Sequence, residues 1–303
     1  MGVALAFRIK LPATSANLGA AFDTAAIALS FHLSIEAEAA ERYSITATGR
    51  NADLCSAIEN NLILDTYRGI LAREGRGEVP LAIRMDNQIP LGMGCGSSAA
   101  GRLAAIALAV NFGQLGWAAE RILSEACKLE GHPDNASACW LGGLVVAACE
   151  GQNVHAARVD PPENWLAMVV MPKKPLATSE ARAMLPDAYS RADAVANIQA
   201  ASLLGVAFAQ GRGELLRAAM ADRIHQPYRA RICGLLPLLL PLAGSQGILG
   251  VALSGAGPSV LLILSGADRV DEASQAVNAS INGGPEAEII VAEFERESCQ
   301  IWP

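Results

Sequence analysis

Residues 89–101 read Ile-Pro-Leu-Gly-Met-Gly-Cys-Gly-Ser-Ser-Ala-Ala-Gly, and the fold turns on how they are read. Gly92, Gly94 and Gly96 alternate, Ser97 and Ser98 follow at once, and Ala99 to Val110 is an alanine-rich run with strong helix propensity. Glycines let the backbone bend sharply and approach a ligand with no Cβ in the way. The two serines then stand at a helix N-terminus, where unpaired N–H groups and the helix dipole favour an anion. Such a nest suits a phosphate, with serine hydroxyls in reach of a metal ion on it. A plain serine-capped turn between strand and helix fits the same residues, and both readings stand at this point. The stretch is not a Walker A loop, which requires a lysine. It also lacks the βαβ unit with an acidic ribose ligand that marks a dinucleotide fold.

Working outward, Leu81 to Met85 reads as a strand leading into the loop, and Leu62 to Glu74 as a helix capped by Asn61. Ala4 to Leu11 alternates like an opening strand and runs into a tight polar loop, Pro12 to Asp23. Phe31 to Ala37 and Tyr43 to Thr48 are β-prone and expected to pair with each other. Downstream, Leu115 to Leu129 is a helix closing on Glu130-Gly131-His132-Pro133-Asp134-Asn135. Gly142-Gly143 leads into a buried strand, after which Gly151 to Asn164 turns polar. The domain boundary is placed there, giving units 1–158 and 159–303. The second unit alternates again: a strand at Trp165 to Met171, helices at Thr178 to Met184, Asp193 to Ala209 and Glu214 to Ala221, then strands at Ile248 to Leu253 and Val260 to Leu264. A helix at Val270 to Ala279 and a strand at Ala287 to Phe294 close the chain. The pattern is α+β with two layers per domain.

The 303 residues are 52% apolar and 17% charged, a composition that excludes disorder. The formal charge of −7 argues against a nucleic-acid partner, whose binding surface is normally basic. Seven cysteines, 55, 95, 127, 139, 149, 233 and 299, show no CxxC spacing and read as reduced thiols in a cytoplasmic setting. Cys95, inside the glycine loop, is expected to be accessible. The first ten residues carry no basic leader with a long apolar stretch, and the runs Ala138 to Cys149 and Leu235 to Ala243 are too short to span a bilayer. No membrane partner is expected.

Glu130, His132, Asp134 and Asn135 crowd one helix end. Zinc would want a further histidine or cysteine at ligand spacing. A carboxylate with a serine hydroxyl suits magnesium, and Glu130 with Ser98 forms that pair if their helices are neighbours. Lys173, Lys174, Arg182, Arg229 and Arg231 are the cations of the second half available to an anion, with arginine better shaped for a carboxylate.

Three motifs stand in order: P-A-T-S-A-N-L-G-x-x-F-D at 12–23, P-L-G-x-G-x-G-S-S-A-A at 90–100 and S-G-A-G-P-S at 254–259. Together they resemble the GHMP small-molecule kinases. E-G-H-P-D-N at 130–135, T-S-E-A-R at 178–182 and H-Q-P-Y-R at 225–229 look specifically like homoserine kinases. The resemblance implies an N-terminal domain like the second domain of ribosomal protein S5, a ferredoxin-like C-terminal domain, and a cleft between them. It also implies ATP and Mg2+ as cofactors, phosphorylation of the L-homoserine hydroxyl in threonine biosynthesis, and a homodimer. Matched residue by residue, Asn61 and Leu62 lie near the adenine, and Pro90, Gly92, Met93, Gly94, Cys95, Gly96, Ser97 and Ser98 form the ATP loop. Ser98 and Glu130 hold the metal. Asn17, Asp23, His132, Thr178, Arg182, Arg229 and Gly255 contact homoserine, and Asp23, Asp134 and Asn135 flank the reacting hydroxyl. Whether a catalytic base is used stays open.

Ala20-Ala21 stands where the family has Pro-Gly, Met93 and Cys95 replace arginine and leucine, and Trp140 replaces a smaller residue. Paired arginines favour a carboxylate-bearing substrate over a sugar, with a GHMP kinase for another small alcohol as the alternative. The presence of Ser98, Glu130 and Asp23 disfavours a non-catalytic binding protein.

Overall fold

A computed structural model describes residues 6–302. The expected first strand residues, Ala4 and Leu5, and the start of the N-terminal segment lie outside the described residues. In chain order the strands of the first half are β1 (Phe7–Ala16), β2 (Ala25–Ala39), β3 (Ser44–Gly49), β4 (Leu81–Asn87), β5 (Leu144–Glu150) and β6 (Asn153–Val159). Its helices are α1 (Ala52–Cys55), α2 (Leu62–Arg73), α3 (Ser97–Phe112), α4 (Ala119–Glu130) and α5 (Asp134–Leu141). The second half carries β7 (Leu166–Pro172), α6 (Thr178–Ala183), α7 (Arg191–Ala209), α8 (Leu216–Ala219), α9 (Gln226–Arg229) and α10 (Leu236–Leu239). It continues with β8 (Ile248–Leu253), β9 (Val260–Leu264), α11 (Val270–Ile281), β10 (Ala287–Glu293) and β11 (Gln300–Trp302).

The first sheet runs β11-β1-β2-β4-β3, with β5 pairing both β2 and β6. The expected pairing of the second and third strands is wrong, because β4 inserts between them and takes β3 in parallel. Both β2 and β4 alternate buried and outward residues, so burial of one face fixes their register whichever neighbour intervenes. The polar stretch after residue 151 is also not all linker: Asn153–Val159 pairs with β5 along its whole length. Its exposed residues hid the strand from a hydrophobicity reading. The second sheet is antiparallel in the order β10-β7-β9-β8. Counted within that half the order is 4-1-3-2, the ferredoxin-like arrangement, so the chain has the expected α+β architecture in two sheets.

Alternation along β7 divides the core. Ala167, Val169 and Met171 join the large apolar cluster shared with the first half, whereas Met168 and Val170 face a second cluster with Leu236, Leu239 and Val277. The helix expected at 214–221 is a short 3-10 turn, Gly213–Leu215, followed by α8. α7 is long and apolar enough to cross a membrane, but it is docked along one face. Leu204, Ala207 and Phe208 are buried, and Asn197 donates to the Ala20 carbonyl at 2.6 Å.

Candidate active site

The glycine loop is fixed by contacts that only glycine allows. A Cβ at Gly94 would lie 2.2 Å from the Ser254 carbonyl oxygen, and one at Gly96 would lie 1.9 Å from the Thr14 hydroxyl. Both residues have positive φ, near 73° and 72°, where L side chains are strained. The loop is laced to its neighbours by Thr14 N donating to Cys95 O at 3.1 Å and Ser254 Oγ donating to Gly94 O at 2.7 Å. Gly96 is the N-cap of α3, so Ser97 and Ser98 begin the helix as expected.

Ser98 Oγ donates to Glu130 Oε1 at 2.7 Å. The expected neighbouring of α3 and α4 is therefore met, and the two side chains form an oxygen pair that suits a hard divalent cation. Arg102 Nε also lies 3.0 Å from Glu130 Oε1, and it was not anticipated from the sequence. Its signal was available, since residues four apart share a helix face and Arg102 follows Ser98 by four.

Opposite the nest, the loop after β1 carries Asn17 and Asp23. Asn17, Leu18, Gly19 and Asp23 adopt positive φ, a strained run held from outside. Asn17 Nδ2 donates to Gly255 O at 2.8 Å, Asp23 N to Asn17 Oδ1 at 2.9 Å, and His225 Nε2 to Gly19 O at 2.8 Å. Ala20 and Ala21 are buried and have no positive φ, so their substitution for Pro-Gly imposes no backbone strain.

Arg182 grips Asp23 with two hydrogen bonds of 3.0 and 2.8 Å, and that bond to Asp23 holds its guanidinium above the ordinary arginine range. Arg229 is 1% exposed. Nε donates to Ala181 O at 3.2 Å and Nη1 to His225 Nδ1 at 3.1 Å, and Phe22 packs under the guanidinium at 5.3 Å. Burial, then the neighbouring Arg182, push Arg229 below its ordinary value, yet arginine stays charged. Burial likewise lowers His225. His132 behaves oppositely. Its largest influence, burial, lowers it, but the 2.5 Å hydrogen bond to Asp134 and the charges of Asp134 and Asp23 prevail, so it stands above the ordinary value. Asp134 is 1% exposed, with Oδ1 occupied by His132 and by Asn135 N at 2.6 Å. Asn135 Oδ1 in turn accepts from Thr14 Oγ1 at 2.7 Å.

A cleft of about 370 Å³ brings together Asn17, Asp23, Gly92, Gly94, Gly96, Ser97, Ser98, Glu130, His132, Asp134, Asn135, Thr178, Arg182, Arg229 and Gly255. A second cavity of about 450 Å³ holds Asn61 and Leu62 and shares Ser97 and Ser98 with the first. Pro90 and Met93 lie elsewhere, in a pocket with Arg50 and Glu288. Cys95 was expected to be accessible and is not: it is 1% exposed, and burial drives its thiol up to about 12. Of the five cations proposed for an anion, only Arg182 and Arg229 line the cleft; Lys173, Lys174 and Arg231 are exposed outside it.

The family models for the GHMP kinases N terminal domain and the GHMP kinases C terminal match residues 61–143 and 206–283. The homoserine kinase of Solibacter usitatus is 43% identical over 257 residues, covering 84% of each chain. That of Deinococcus radiodurans is 37% identical over 255 residues, covering 84% of this chain and 83% of its own. The crystal structure of homoserine kinase from Cytophaga hutchinsonii superposes with a TM-score of 0.81 at 21% identity, over 98% of this chain and 97% of its own. With a glycine nest on a helix N-terminus facing an arginine-lined pocket across one cleft, the chain belongs to the homoserine kinases of the GHMP kinase family.

Proposed function

We propose that the two cavities hold the two substrates of one phosphoryl transfer, ATP and L-homoserine. The observation that carries this reading is the shared wall. Ser97 and Ser98 border both the apolar cavity and the polar cleft. A purine in the first therefore delivers its phosphates across the N-terminus of α3 into the second. Homoserine is a zwitterion, and the cleft offers Asp23 to its ammonium and Arg182 with Arg229 to its carboxylate. Fixing both charged ends leaves the side-chain hydroxyl directed toward the nest, and positioning of this kind supplies much of the catalysis in phosphoryl transfer.

In the step, the homoserine oxygen bonds to the γ-phosphorus, the bond from that phosphorus to the bridging oxygen breaks, and ADP leaves. Asn135 and His132 orient the hydroxyl, and Asp134 receives its proton. Thr178 and Gly255 wall the pocket. Ser98 and Glu130 would hold Mg2+, which when bound neutralises phosphate charge. Residues 1–158 supply the nucleotide side and 159–303 complete the substrate side, with β11 returning to pair with β1.

A homodimer would bury the outer face of α7, where Val195, Ile198 and Val206 are 47, 65 and 48% exposed. No ionisable residue occurs from Ala194 to Gly211, while Arg191 and Asp193 precede that span and Arg212 and Glu214 follow it. Antiparallel pairing of two copies would set those opposite charges against each other. All seven cysteines are free thiols, which fits a reducing, cytoplasmic setting.

The test is a coupled ADP-release assay with MgATP against L-homoserine, L-threonine, mevalonate and galactose. Selective turnover of homoserine is expected. Selective turnover of another alcohol would retain the kinase and overturn the substrate.

A further inference from the structure

The cleft contains a cation that none of the motifs announces. Arg102 lies one turn along α3 from Ser98, is 25% exposed at its side chain, and lines the cleft beside the nest. Its Nε is 3.0 Å from Glu130 Oε1, yet that N–H is buried with no acceptor at hydrogen-bonding geometry. The contact is thus an ion pair without a proper hydrogen bond. Glu130 Oε1 is already taken by Ser98 Oγ, so the guanidinium shares a crowded oxygen and keeps an unspent donor.

The electrostatics of the nest ask for such a group. Residues 89–101 contain no lysine or arginine, and a helix N-terminus offers only about half a positive charge against a triphosphate. The other two arginines of the cleft stand on its amino-acid side, away from the nest. Arg182 is bound to Asp23, and Arg229 is bound to Ala181 and His225.

We propose that Arg102 is the resident counter-cation of the phosphate nest. It neutralises Glu130 and faces the terminal phosphates already in the metal-free protein, and it serves those phosphates alone once a divalent cation takes that carboxylate. The inference rests on the cleft being the ATP site. It makes Arg102 a competitor of the metal and a partner of the phosphates, so its removal moves two affinities in opposite directions.

The experiment uses the full chain and Arg102→Met, with Arg102→Lys alongside. Mn2+ binding to the nucleotide-free protein is read by electron paramagnetic resonance. ATP and adenosine binding in EDTA are read by calorimetry, and Tm is recorded for each variant. Loss of one close charge pair is expected to tighten Mn2+ binding roughly tenfold and weaken metal-free ATP binding by about the same factor. Adenosine binding is unchanged, and Arg102→Lys stays near the parent. Mn2+ affinity that is unchanged or weaker in Arg102→Met would overturn the proposal, as would unchanged ATP affinity. Joint loss of both with a lowered Tm would reduce Arg102 to a structural ion pair and overturn it too. Failure of the unsubstituted protein to bind ATP would instead remove the reading of the cleft on which the inference stands.

Discussion

The two sides of the cleft are built by opposite strategies. The proposed phosphate nest is one continuous segment, Gly92 to Ser98, that would act through backbone N–H groups and two hydroxyls at the start of α3. The amino-acid side is assembled from Asp23, His132, Arg182 and Arg229, which come from four separate segments and act through charged side chains. A backbone site tolerates almost any side chain that leaves the chain path intact, which accounts for Met93 and Cys95 in place of the commoner residues. A side-chain site depends on each long-range contact that aims its charges. Breaking the first should therefore require a change of backbone, and breaking the second a single charge.

The largest effect is expected from Gly96→Ala. The added Cβ meets the Thr14 hydroxyl at 1.9 Å, at a residue with φ near 72°. The strain costs roughly 1–3 kcal/mol and the collision must displace the loop, a misplacement expected to lower kcat/KM by more than about 100-fold. A Met93→Ala control, whose side chain points to another pocket, should lose less than about threefold. If the two variants were equally active, the backbone account of the nest would fail.

Arg229→Met comes next. Hydrogen bonds to charged groups contribute about 1.5–3 kcal/mol each, so the KM for homoserine should rise roughly 30- to 100-fold while the KM for ATP stays put. A parallel rise in both constants would show that Arg229 supports the whole cleft and does not select the carboxylate. Thermal unfolding should also shift down, since His225 and the Ala181 carbonyl lose their partner.

The same division explains what the sequence allowed to be read. The nest, its helix and the Ser98–Glu130 pair follow from local spacing and one helix packing, so they were visible in the residue order. The strand order was not: β4 separates β2 from β3 although it lies later in the chain, and alternation reports which face is buried without naming the neighbour. β6 was missed because its outward residues are polar or small. On the amino-acid side, the residue types were legible through family motifs, but the Asp23–Arg182 contact spans 159 positions, and no local pattern encodes it. The burial of Cys95 was equally hidden, because glycine neighbours suggest exposure while the Ser254 to Gly257 loop packs over them.

That long-range pair gives a sharper test of the side-chain strategy. Asp23→Ala, Arg182→Ala and the double variant form a cycle, read by thermal unfolding without substrate. The two side chains are 30 and 38% exposed, so solvent screening limits their coupling to on the order of 1 kcal/mol. Each single variant should weaken homoserine binding more than it weakens the fold. Strict additivity in stability would mean that the pair forms only incidentally and that the two charges are held apart by other contacts.

The smallest effect separates two histidines of the same region. His132 binds Asp134 through Nδ1 at 2.5 Å and stands above its ordinary value, so the native protein holds that proton more tightly than the unfolded chain. The stabilisation is complete below the unfolded value of about 6.5 and is lost as pH rises through the raised native one. His225 has the opposite sign. Buried, donating to Gly19 and accepting from Arg229, it stands below its ordinary value. Its contribution is present above about 6.5 and is lost as pH falls. Proton–carbon NMR of the Cε1–H groups should therefore show two resonances titrating on either side of 6.5. In Asp134→Asn the His132 resonance should fall below 6.5, because burial, its largest single influence, is then left with only the more distant charge of Asp23 to oppose it. His225, which takes its partners from Gly19 and Arg229, should not move. A His132 that titrates below 6.5 in the unsubstituted protein would break the contrast, and with it the orienting role assigned to His132 at the substrate hydroxyl.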